Sequence, residues 1–146
     1  MINCKNEYEY SLERFVIAQK ACFDRVIFEL KNEQKKTHWM WFIFPQLKGL
    51  GHSEFAQYYG ISGLEEAKLY LHHPLLGPRL EACLQLLDVA KSNAPEIFGD
   101  VDAKKLQSSL TLFLEAESDS PLLQTLLDKF YFGKKDQNTL GLLAIR

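Results

Sequence analysis

Residues 35–51 read Lys-Lys-Thr-His-Trp-Met-Trp-Phe-Ile-Phe-Pro-Gln-Leu-Lys-Gly-Leu-Gly and hold both tryptophans of the chain. Indole is costly to leave on a surface, and its N–H wants a partner when buried. The stretch therefore marks either the centre of the core or the wall of a pocket. Residues 38–44 are apolar on every side, so periodicity cannot separate a buried strand from a buried helix here. A lone strand in a helical chain would leave its backbone groups unpaired. We read 38–44 as a short helix with Thr37 as N-cap. Pro45 disfavours helical geometry at Phe44 and stops it there, and Gly49 and Gly51 open a loop.

Outward from this segment the pattern is helical throughout. Leu12, Phe15, Val16 and Gln19, then Cys22, Phe23, Val26, Ile27 and Leu30, predict one long or kinked helix over about 9–31. Ser62 and Glu65 form a capping-box pattern that starts a helix over 63–72, with Leu64, Ala67 and Leu71 inward. Pro74 suits a first helical turn, with His73 as its cap, and an apolar stripe from Leu75 to Leu87 runs on to about Ala90. Residues 95–98 read as a single turn ended by Gly99, after which Asp100 or Asp102 caps the helix holding Leu106, Leu110 and Phe113. Ser120-Pro121 starts another, ended by Gly133, and Asp136 caps a last short helix around 140–144. The expectation is all-α: one compact domain over 1–146, of about six to eight helices packed around 38–44.

Composition bounds the function. The chain has 146 residues, 47% of them apolar, with a formal charge of −2. That is enough for one well-buried core and argues against a general nucleic-acid binder, which shows a basic excess. Cys4, Cys22 and Cys83 form no C-x-x-C, so neither a disulfide framework nor a zinc knuckle is expected, and a reducing compartment suits them. The first residues lack the apolar stretch of a signal peptide, and no run is long enough to span a membrane. A cytoplasmic protein without membrane association is the expectation.

Three places carry chemistry. Within 35–51, residues two apart on a helix face opposite ways, so Trp39 and Trp41 cannot share one cavity. One of them with His38 lines a pocket, stacking on a ring, or both pack the core. His38 at a helix N-terminus would stay neutral and act as general acid or base. In 105–113, Lys105 lies one turn from Ser108 and Ser109, so ammonium and hydroxyls share a face. With Thr111 they read as packing hydroxyls, as an anion site, or as a Ser–Lys nucleophile and base. In the third place, His72 and His73 are adjacent and diverge, with no ligand type at helical spacing, so no metal is expected. Arg79 reads as a bidentate clamp for phosphate or carboxylate or as a structural ion-pair partner.

The same stretches carry a resemblance. Thr37-His38-Trp39-Met40-Trp41-Phe42-x-Phe44-Pro45-Gln46-Leu47-x-Gly49-Leu50-Gly51 resembles the signature of the DUF1810 family. So do Tyr70-Leu71-x-His73-Pro74-x-Leu76-Gly77-x-Arg79-Leu80, and Lys105-x-x-Ser108-Ser109-x-Thr111-Leu112-Phe113 preceded by Ile97-Phe98-Gly99. The resemblance spans nearly the whole chain and implies a compact helical fold, with no activity or catalytic residue to carry over. The label calpastatin, sometimes attached to such sequences, does not fit a chain too apolar to be disordered. Relatives joined to macro-type domains that act on ADP-ribose turn the ligand expectation toward nucleotides.

Nucleotide-loop, serine-elbow and zinc-helix motifs are absent, and no cofactor is expected. The reading is a pocket for a small anionic ligand, a nucleotide or ADP-ribose derivative. Trp39 or Trp41 would stack. Lys36, Arg79 and Lys105 would answer charge, and Gln46, His73, Ser108, Ser109 and Thr111 would orient the ligand. If there is a reaction, His38 is the expected acid or base. The alternative is a protein-interaction module with the aromatics in its core.

Overall fold

The apolar periodicity over 9–31 resolves into two helices. In the computed structural model, which describes residues 4–146 with side chains from residue 12 onward, α1 (Cys4–Lys20) ends before Ala21 and Cys22, and α2 (Phe23–Lys31) begins afresh. Then follow α3 (Met40–Ile43), α4 (Glu54–Tyr59), α5 (Leu64–His72), α6 (Leu76–Val89), α7 (Ala94–Ala116), α8 (Pro121–Tyr131) and α9 (Gln137–Ala144). The helices thus number nine among the described residues, above the six to eight expected, and the all-α reading holds. The extended pairing among the described residues is one isolated parallel bridge, Leu47 to Ile61, in which Ile61 N donates to Gln46 O (2.9 Å) and Lys48 N to Ile61 O (2.8 Å). The thiol of Cys4 lies outside the described side chains.

The second half of α7 is the axis of the molecule. Leu106, Leu110, Leu112, Phe113 and Leu114 are all buried, because α5, α8 and α9 pack around this helix. Each such fully buried side chain contributes about 2 kcal/mol. The aromatic segment closes one end of the core: Trp39, Met40, Ile43 and Phe44 are buried, with Phe98 edge-on to both Trp39 (6.3 Å) and Phe44 (6.0 Å).

Local chemistry sets most helix ends. His73 caps α6, its Nδ1 accepting from Leu75 N (3.1 Å) and Leu76 N (3.2 Å). Ser120 caps α8, and Asp136 caps α9. Four expectations differ from the structure. α3 starts only at Met40, with Trp39 at its N-cap position, because the Thr37 hydroxyl is drawn to Glu29 instead (2.7 Å). α5 begins after Gly63, so Glu66, not Glu65, reaches back to the Ser62 amide (2.8 Å). The buried face of α5 is accordingly Glu66, Ala67 and Tyr70, with Leu64 and Leu71 half-buried. Finally, α7 starts from an unforeseen capping box of Asn93 and Glu96 and breaks at Gly99 (φ 81°), while Asp102 pairs with lysines rather than capping.

Candidate functional site

Glu29 organises the approach to the aromatic segment. Val26, Glu29 and Leu30 share the buried face of α2, so a carboxylate is placed where an apolar side chain would be expected. Chain reversal after Lys31 brings four donors back to it. These are Lys36 N (2.8 Å), Thr37 N (3.1 Å), Thr37 Oγ1 (2.7 Å) and Trp39 Nε1 (2.9 Å). Arg25 Nε adds a fifth at 3.1 Å. Burial pushes the carboxyl pKa up, but the bonds from Lys36, Thr37 and Trp39 outweigh it and hold it at about 2. Trp39 is thereby committed: buried, its N–H tied to a charge, it offers no face to a ligand.

Trp41 points the other way and stays half-buried. Phe55 packs edge-on against it (5.1 Å), and the ammonium of Lys105 stands 4.9 Å from its ring centroid. Asp102 fixes that ammonium from one side at 3.6 Å and holds Lys35 at 2.8 Å from the other. Lys35 in turn lies 5.0 Å from the Trp39 ring. One carboxylate therefore couples both tryptophan–lysine pairs, and two ammonium groups share a single negative charge. Lys105 also lines a cleft of ≈ 300 Å³ with Gln46, Leu50, Asp100, Val101 and Lys104. Loop 46–51 forms one wall, and the stretch of α7 just past Gly99 forms the other.

The architecture can be set beside known proteins. A family model described as "Protein of unknown function (DUF1810)" matches residues 9–143. The chain belongs to the DUF1810 family. A crystal structure of the conserved hypothetical protein Rv1873 from Mycobacterium tuberculosis is similar to this DUF1810 chain, with 47% identity and a TM-score of 0.91 over 94% of this chain and 99% of that one. No curated protein matches.

Of the positions singled out in this DUF1810 sequence, Gln46 and Lys105 line one cleft, and Trp41 meets Lys105 without being part of that lining. The rest go elsewhere. Ser108 and Ser109 are buried, and the Ser108 hydroxyl donates to Lys104 O (3.2 Å). Thr111 Oγ1 donates to Gln107 O (2.8 Å) and accepts from Asp136 N (2.9 Å), joining α7 to the start of α9. These are packing hydroxyls, the first of the three alternatives. His73 is occupied as a helix cap.

Arg79 lies against α2, its guanidinium 5.3 Å from the Phe23 ring. Its Nη1 is buried without a hydrogen-bond partner, as is Gln19 Oε1. An unpaired buried donor is costly, and the ring face offsets part of that cost. His38 and Lys36 are exposed, and neither side chain makes a hydrogen bond or ion pair among the described residues. The expectation of one hollow shared by all three motifs is not met: His73 and Arg79 do not line the Lys105 cleft. Glu29 and Asp102, which position the tryptophans and lysines, were missed. A visible signal existed for Glu29, a carboxylate on the apolar face of α2.

Proposed function

We propose that this chain binds a small anionic ligand bearing a flat ring, of the nucleotide or ADP-ribose class, in the cleft beside Trp41. The observation that carries the reading is the Lys105 ammonium, poised over the half-exposed Trp41 ring while lining the same cleft as Gln46. A cation held at an indole places an anionic group next to a surface on which a base can stack. Lys104 adds charge, the Gln46 amide can both donate and accept, and Asp100 can accept from a ribose hydroxyl or an exocyclic amine. A volume of ≈ 300 Å³ is at the lower end of ligand pockets, which favours a mononucleotide-sized part of the ligand as the portion buried. Binding is proposed and no reaction, because among the described residues no side chain orients His38 as a general base requires. No helix among the described residues is long and apolar enough to cross a membrane. We place the protein in the cytoplasm, where the free thiols of Cys22 and Cys83 would persist.

Thermal shift with ADP-ribose, AMP and inorganic phosphate tests this. A ligand at a hundred times its dissociation constant stabilises by about 2.7 kcal/mol, and Lys105→Met or Trp41→Leu should abolish most of the shift. No shift with any of the three, or equal shifts in both variants, refutes the reading. The second reading, a protein-interaction module, is favoured by one feature: Phe55 and Tyr58, 55% and 60% exposed, extend the aromatic surface beyond Trp41. Exposed aromatics mark interface centres. A stoichiometric partner recovered by the wild type and lost with Phe55→Ala and Tyr58→Ala would support it.

A further inference from the structure

His72, His73 and Glu117 line a second cleft, of ≈ 470 Å³, between the α5–α6 corner and the start of α8. Its floor is apolar: Leu80, Leu84 and Leu123 are 3%, 4% and 3% exposed. Its ionisable lining is Glu81, Glu117 and the two histidines, with neither lysine nor arginine among them.

The two imidazoles are already engaged. His73 Nδ1 receives the Leu75 and Leu76 amides. His72 Nε2 lies 3.1 Å from Glu117 Oε1, and since an ionised carboxylate only accepts, the imidazole donates. Glu117 keeps its second oxygen for another donor. Glu81 makes no hydrogen bond or ion pair among the described residues. The cleft therefore presents two carboxylates above a greasy floor, the reverse polarity of the cleft at Lys105.

We propose that this second cleft binds a small aliphatic amine or guanidine. The alkyl stem lies on Leu80, Leu84 and Leu123, and the cationic head bridges Glu81 and Glu117. The division suits the energetics. Apolar stem against leucine removes hydrocarbon from water, whereas the head stays at a partly solvated rim and escapes the desolvation that penalises a fully buried ion pair. The volume lies within the range of small-molecule pockets. An anion would meet two carboxylates with neither lysine nor arginine beside them. This inference stands apart from the proposed function, with different residues and a ligand of opposite sign.

Hexylamine, hexanol and heptanoate share one hexyl stem and differ only in the head, so calorimetric titration of the full chain with each is decisive. Hexylamine should bind, hexanol should bind about tenfold more weakly, and heptanoate should not bind. Glu81→Gln and Glu117→Gln should each weaken hexylamine about two- to fivefold, the scale of one rim charge. Both side chains are at the surface, and Glu81→Gln alone carries the test if the other variant loses its fold. Equal affinity for hexanol and hexylamine would overturn the proposal in favour of a merely apolar groove. Hexylamine binding that is unchanged in the double variant, or that is absent, would overturn it outright. A lysine-rich peptide that binds where hexylamine does not would replace it with a protein-docking surface.

Discussion

Glu29 carries a larger share of the local order than any other polar side chain near the tryptophans, because its buried carboxylate is the common acceptor for Arg25, Lys36, Thr37 and Trp39. Its carboxyl titrates near 2 in the folded chain against a usual 4.5. A depressed folded value means that the stabilisation is complete above pH 4.5 and is lost as pH falls toward 2. It is on the order of 3 kcal/mol. Glu29→Gln turns an amide NH₂ toward donors and should cost about 3 kcal/mol at neutral pH. Urea unfolding of wild type and variant at pH 7 and at pH 3 checks both points: the gap should narrow at the lower pH, and parallel pH dependences would show that Glu29 is not the titrating group. The exposed partner Arg25 matters less, and Arg25→Ala should fall within about 1 kcal/mol of wild type.

Among the elements, the α5–α6 corner is the most tightly specified. A Cβ on Gly77 would stand 2.3 Å from the Leu71 carbonyl oxygen, so the first turn of α6 can meet the end of α5 only with glycine there. Gly77→Ala should cost about 2 kcal/mol or more by forcing the helices apart, and His73→Ala about 1 kcal/mol through the lost cap. Gly99 is a different case. Nothing lies within 4 Å of its notional Cβ, but its φ of 81° with ψ of 164° is a backbone region essentially confined to glycine, so Gly99→Ala should cost about 2 kcal/mol through backbone strain alone. Denaturant midpoints of the three variants test this order, and His73→Ala costing more than either glycine variant would contradict it. These corners also show what the sequence makes legible. His73, Ser120 and Asp136 cap with their own neighbours, so spacing alone reveals them. Thr37 could not be read that way, because the competing acceptor sits on the preceding helix. Gln46 and Lys105 were identifiable as polar residues in apolar company, yet the same criterion picked Ser108 and Thr111, whose hydroxyls turn back to their own helix. Local sequence does not distinguish a hydroxyl beside a cavity from one beside a carbonyl.

At the scale of the molecule, the core around α7 seals its own probes. Cys83 is fully buried, and burial pushes its thiol up to about 12. A thiol reagent should therefore label Cys83 only at the rate of unfolding; labelling of native protein on a faster timescale would mean that α6 opens locally away from α8. The two tryptophans divide along the same boundary. Trp39 is sealed against Glu29 and Phe98, while Trp41 keeps one side toward solvent under Lys105. The chain thus carries two emitters with unlike surroundings. Iodide or acrylamide should extinguish the Trp41 component first, attracted in the case of iodide by the neighbouring ammonium groups. The remaining emission, shifted to the blue, should survive until the interior itself comes apart. A Trp41→Phe protein would then report on folding alone and a Trp39→Phe protein on the cleft, so that one optical measurement reads core and surface separately.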